Sequence, residues 1–148
     1  MKSRGLFILV VLTVAAVFVT GCTAAKPQLS IEGAYGQPSM SMPTAGAMFM
    51  MIKNSGSADK LLSGSSEACG SVEVHETVMK SDGTMGMNLL DKPLDIPANG
   101  QVELKPGGIH IMCIMKKDDV FKPGAKVDLD LVFEKSGEQH VTVEIKME

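Results

Sequence analysis

The chain contains no tryptophan, one tyrosine and five phenylalanines. Its charges are mixed in sign, 14 Lys and Arg against 17 Asp and Glu, with no basic cluster. Nucleic-acid surfaces need clustered cations and stacking rings, so the composition argues against that class. Histidine is scarce, at three residues, and so is cysteine, at three. The histidines and carboxylates form no nucleophile, base and orienting group in series, and no enzyme is expected. After residue 19 no segment keeps a helical period for three turns. What the chain does have is methionine, twelve in 148 residues.

The N-terminus reads as an address. Lys2 and Arg4 precede an almost wholly apolar run from Leu6 to Val19. That length suits a signal peptide and is short for a membrane span. The run ends at Val19-Thr20-Gly21-Cys22, which resembles a bacterial lipobox. Residues 1–21 are therefore expected to be removed, with lipid on Cys22 and a short tether to residue 28. Residues 29–148 remain for one domain with one core. The expected location is extracytoplasmic, at a membrane. With Cys22 lipidated, Cys69 and Cys113 are left, and outside the cytosol they either pair as a disulfide or simply pack.

Short alternating runs then recur, separated by turn residues. They include 29–35, 47–53, 72–79, 85–90, 102–104 and 109–115. In 127–133 and 141–147 the odd positions are apolar, and Ser136-Gly137 between them reads as a hairpin turn. Many short strands with turns about every ten residues indicate an all-β sandwich or barrel. No internal repeat or second domain is visible.

Alternation also sorts the soft donors. On the strand containing His75, Val72 and Val74 share one face, and Glu73 and His75 take the other. On the strand containing His110, Ile109, Ile111 and Cys113 share one face, and His110 and Met112 the other. Two positions apart on a strand is about 7 Å, so the imidazole and thioether of a His-x-Met pair can reach one ion. Met85-Gly86-Met87 offers a further thioether from between the two histidine strands. The expected ligand set is His75, His110, Met112 and either Met85 or Met87. Thioether sulfur is soft and uncharged and suits Cu(I) rather than zinc, magnesium or calcium. Such a set also needs no thiolate, which oxidises outside the cell. Met48, Met50, Met51, Met115 and Met147 are expected to fill the core. His140 is expected to be solvated. Met40 and Met42, in a Ser-Met-Ser-Met stretch, are either incidental loop residues or a place for incoming copper.

The run from Val72-Glu73-Val74-His75 through Met87 to Glu103-Leu104-Lys105-Pro106-Gly107-Gly108-Ile109-His110-Ile111-Met112 resembles the PCu(A)C family of periplasmic copper chaperones. The resemblance covers essentially the whole domain after residue 28. It implies a cupredoxin-like or Ig-like antiparallel β-sandwich. It implies Cu(I) as the metal, with His75, Met87, His110 and Met112 as ligands. It also implies delivery to the dinuclear copper centre of cytochrome c oxidase, with an oxidase subunit or another copper protein as partner and a monomeric carrier. This chain is one residue longer than the family pattern on each side of Met87, in turns near Lys80–Thr84 and Asp91–Leu94, so Met85 stays open as the third ligand. Two other functions are open as well. A copper-sequestering tolerance protein could carry the same site. An electron-transfer cupredoxin would need a cysteine thiolate on the metal, and Cys113 is expected to point away from it.

Overall fold

The computed structural model describes residues 25–40 and 42–147, and among them there are ten strands and no helix. The expected signal peptide and Cys22 lie outside the described residues. In chain order the strands are β1 (Leu29–Pro38), β2 (Ala45–Asn54), β3 (Asp59–Ser65), β4 (Ser71–Met79), β5 (Met85–Leu89), β6 (Leu94–Ile96), β7 (Gly100–Leu104), β8 (Ile109–Ile114), β9 (Lys126–Phe133) and β10 (Gly137–Ile145).

The alternating runs become half-buried strands, as their period requires. On β9, Val127, Leu129, Leu131 and Phe133 are buried, and on β10 Val141, Val143 and Ile145. The two pair in continuous antiparallel register from Gly137 opposite Phe133 to Glu144 opposite Lys126. Gly137 makes the turn with φ of 73°, a conformation glycine adopts without a steric penalty.

The strands run β5-β4-β8-β2-β1-β10-β9-β3-β6, with β7 pairing β2. A further pairing of β3 with β4, at Gly64 opposite Val72, closes seven of them into a flattened barrel. The expected all-β fold is therefore correct. One pairing is not antiparallel, because β1 lies parallel to β10 at Tyr35 and Gly36. The short β6 has no counterpart among the runs recognised by alternation.

Met48, Ile52, Ile111 and Leu129 fill the interior together with Phe121, whose ring lies over Gly46. A Cβ at Gly46 would stand 2.4 Å from that ring, so only glycine fits. Met48 and Met50 are buried as expected. Met51 is half-buried. Met115 and Met147 are exposed, contrary to expectation. Met115 follows the last residue of β8 with φ of 50°, and Met147 lies beyond the end of β10, so strand alternation governs neither.

One polar cluster and one covalent cross-link tie distant segments together. The buried Asp59 carboxylate accepts hydrogen bonds from the Lys60 and Lys135 N–H groups and from the N–H and hydroxyl of Ser136. These pin the start of β3 to the β9–β10 turn. Cys69 and Cys113 form a disulfide, with Cα atoms 5.3 Å apart. It fastens the β3–β4 connection to the inner face of β8.

Candidate metal centre

Site geometry follows from strand register. Residues opposite one another on neighbouring strands point to the same face of the sheet. His110 on β8 lies opposite His75 on β4, and Met112 lies opposite Glu73. On the other side of β8, Met112 lies opposite Ala47 of β2. On the far side of β4, Met87 of β5 lies opposite Thr77. His75, Met87, His110 and Met112 thus share the outer face of one sheet region, while Ile111 and Cys113 face the core.

His110 and Met112 are nevertheless only 4% and 2% exposed. They form the wall and floor of a hollow of about 330 Å³. Thr77 and Met87 close one side of it, Pro38, Ser39 and Met40 the other, and Pro106-Gly107 an end. The small side chain of Ala47 leaves the space beside Met112. Of the expected ligands, the hollow collects Met87, His110 and Met112. His75 stands next to it, with its ring centroid 6.3 Å from that of His110. A metal–imidazole bond is about 2 Å, so both rings are within reach of one ion between them. Met85 is exposed at the hairpin end, opposite Met79, and does not line the hollow.

Both imidazoles are held in defined tautomers. His75 Nε2 donates to Glu73 Oε2 at 2.8 Å. Its Nδ1 is left buried and without a hydrogen-bond partner. A bare imidazole nitrogen in a buried position is costly unless something binds its lone pair. His110 Nδ1 donates to the Gly108 carbonyl at 3.0 Å, which leaves Nε2 with the lone pair. Burial holds the His110 pKa below the ordinary value, and the neighbouring His75 pushes the same way, against the Gly108 hydrogen bond. The ring is therefore neutral and ready to ligate. Rings continue across the face, with Phe49 6.1 Å from His110 and Tyr35 5.1 Å from Phe49.

The donor set is soft. Among the described residues no three His, Cys, Asp or Glu side chains gather as a metal-holding group. The thioethers of Met87 and Met112 must supply what such groups would, and they favour a soft monovalent ion. The disulfide removes Cys113 as a thiolate ligand, and its sulfur lies on the opposite face of β8. A blue-copper site is therefore ruled out at this position. His140 is exposed as expected and engages Asp130 and Asp128 at 2.7 and 3.3 Å, away from the hollow. Two features escaped the reading by alternation. Glu73 was placed beside His75 without a role, and Met40 sits in a loop where period says nothing.

Solved structures with the same architecture include three copper-related domains. The apo PCuAC domain of PmoF1 superposes with a TM-score of 0.68 at 23% identity, covering 83% of this chain and 97% of that one. The copper-bound PCuAC domain of PmoF2 gives 0.66 at 22%, covering 84% and 97%. The solution structure of CuI-DR1885 from Deinococcus radiodurans gives 0.61 at 25%, covering 86% and 83%. In sequence the chain is 35% identical over 101 residues to a putative lipoprotein of Leifsonia xyli subsp. xyli, 68% of this chain and 60% of that protein. It is 26% identical over 121 residues to an uncharacterized protein of Rickettsia prowazekii, 82% and 62%. The chain thus spans about three fifths of the length of each of these relatives. The pattern of the LpqE-like putative lipoproteins matches residues 29–145. With that match running through every strand of the barrel, the chain belongs to the LpqE-like family of putative lipoproteins.

Proposed function

We propose that this domain is an extracytoplasmic copper carrier that binds one Cu(I) ion through His75, Met87, His110 and Met112 and passes it to another copper protein. The observation that carries the reading is the hollow in which two thioethers meet the free nitrogen of His110, with the unpartnered Nδ1 of His75 alongside. Four neutral donors fit a soft monovalent ion and leave it at net charge +1. The fold shared with copper-bound PCuAC and CuI-DR1885 structures supports the same reading. Copper is cargo here, and nothing about the site calls for redox chemistry.

The finer assignment follows the family resemblance. The acceptor is the dinuclear copper centre of cytochrome c oxidase, and lipid on Cys22 holds the carrier at the membrane where that enzyme resides. The ion moves by ligand exchange, one bond to the acceptor forming as one to the carrier breaks.

Cu(I) titration against a chromophoric chelator tests the site. One equivalent should bind. Met112→Ala and Met87→Ala should each weaken it roughly tenfold or more, since even groups that only support a ligand are worth 10–100-fold. Met85→Ala should bind like wild type. Equal affinity in all three variants would remove the assignment. Transfer to a purified oxidase copper-binding domain separates delivery from sequestration, because a sequestering protein would keep its ion.

A further inference from the structure

The hollow contains a third thioether that the ligand set does not use. Met40 lies just past the end of β1 and lines the same space as Met87, His110 and Met112. Its position is set by the order of strands. β8 is central, carrying His110 and Met112. Met87 comes from β5, across β4, and Met40 comes from the end of β1, across β2. The residues between are short, Thr77 on one side and Ala47 on the other. The two long side chains therefore approach the same hollow from opposite rims.

The connection that carries Met40 is anchored. The Ser39 N–H donates to the Ala45 carbonyl at 3.0 Å, and the Ala45 N–H to the Met42 carbonyl at 2.8 Å. The Met42 N–H donates to Ser39 Oγ at 3.1 Å. These bonds hold the two ends of the turn together with Met40 at the rim. Met42, two residues on, does not line the hollow. The sulfur donors form a gradient of access. Met112 is 2% exposed, Met87 43% and Met40 85%. Met79 and Met147 are about as exposed, but they do not line the hollow, so it is the place of Met40 at the mouth of a soft-donor site that sets it apart.

We propose that Met40 is an additional, exchangeable Cu(I) donor that takes the ion at the mouth of the hollow on entry and holds it again on exit. The inference rests on the copper-carrier reading and adds the route by which the ion moves. In each exchange a bond from copper to the Met40 sulfur forms as one bond to the outgoing ligand breaks. Copper stays Cu(I), and no proton or electron is transferred. A donor used in passage alters exchange rates more than equilibrium affinity, because it is gained and lost on the same path.

The test uses the full chain carrying ¹³C-labelled methionine methyl groups, titrated with Cu(I), with each resonance assigned by Met→Leu replacement. Exchange rates are then followed with a Cu(I)–bicinchoninate complex as donor and with free bicinchoninate as acceptor. The methyls of Met87 and Met112 should shift, and that of Met40 should broaden while the protein is only partly loaded, because it meets the ion in passage. Met40→Leu, which keeps size and removes sulfur, should slow transfer in both directions several-fold, and Met42→Leu should not. A Met112 shift with an unperturbed Met40 methyl throughout the titration, or wild-type rates in Met40→Leu, overturns the proposal and leaves the carrier reading standing. No shift at Met112 overturns the carrier reading and this proposal with it.

Discussion

His75 and His110 face each other across β4 and β8, and each has one ring nitrogen held by the protein and one left free. The holding groups differ. His110 is fixed by a backbone carbonyl, which no substitution of a side chain removes. His75 is fixed by the Glu73 carboxylate, which can be changed.

Glu73→Gln is therefore expected to weaken Cu(I) binding. A carboxylate on the far nitrogen of a ligating histidine fixes its tautomer, and its loss costs about 10–100-fold in metal affinity. Chelator competition reads the change. A thermal melt of the metal-free variant close to wild type would show that the fold is intact.

The disulfide between Cys69 and Cys113 spans 44 residues. Chain-entropy reasoning puts its effect on stability at about 4 kcal/mol. The Cys69→Ser, Cys113→Ser double variant should lower the denaturant midpoint accordingly. Because Cys113 faces the core, the variant should still bind one Cu(I) under conditions where it is folded. Loss of binding in the folded variant would mean that the disulfide shapes the site directly.

Asp59 is expected to be the most costly polar residue to remove. Burial raises its pKa, but the hydrogen bonds from Ser136, Lys135 and Lys60 outweigh burial and bring it below the ordinary aspartate value. A depressed carboxylate contributes stability that is present above the unfolded pKa and is lost as pH falls through the folded one. Asp59→Ala should lose about 1.5–3 kcal/mol at neutral pH, the range for hydrogen bonds to a charged group. It should also show a shallower fall in stability under acid, measured by urea unfolding from pH 7 down to pH 2.

His140 shifts the other way. Its hydrogen bond to Asp130 raises its pKa above the ordinary 6.5, with further help from the charge of Asp128. A raised histidine contributes stability that is fully present below the unfolded pKa and is lost as pH rises through the folded one. The group is at the surface, so the expected signature is the titration itself rather than a large change in stability. Its ring resonances should titrate above pH 6.5 and return toward that value in Asp130→Asn. Titration at or below 6.5 in the wild type would contradict the geometry.

Much of this was legible along the chain because strand alternation is local. A period of two places His110 with Met112, Glu73 with His75, and Cys113 with Ile111, whatever lies on either side. The same rule marked Val127–Phe133 and Val141–Met147 as half-buried, and Ser136-Gly137 as their turn, and the second strand ends at Ile145. It failed at Met115 and Met147, which lie where the strands have ended. It missed Leu94–Ile96, a strand too short to show a period.

The sequence alone determined an all-β domain, the soft donors and the faces they occupy, since each depends only on neighbours within a few residues. The tertiary structure decided which donors meet. Sheet order sets Met87 and Met40 on opposite rims of the hollow and closes the barrel through the parallel β1–β10 pair and the β3–β4 contact, while the β4–β5 register leaves Met85 at the hairpin end outside it. It also brought Cys69 to Cys113. These are pairings between distant segments, governed by how hydrophobic faces stack and how loops cross, and no local period encodes them.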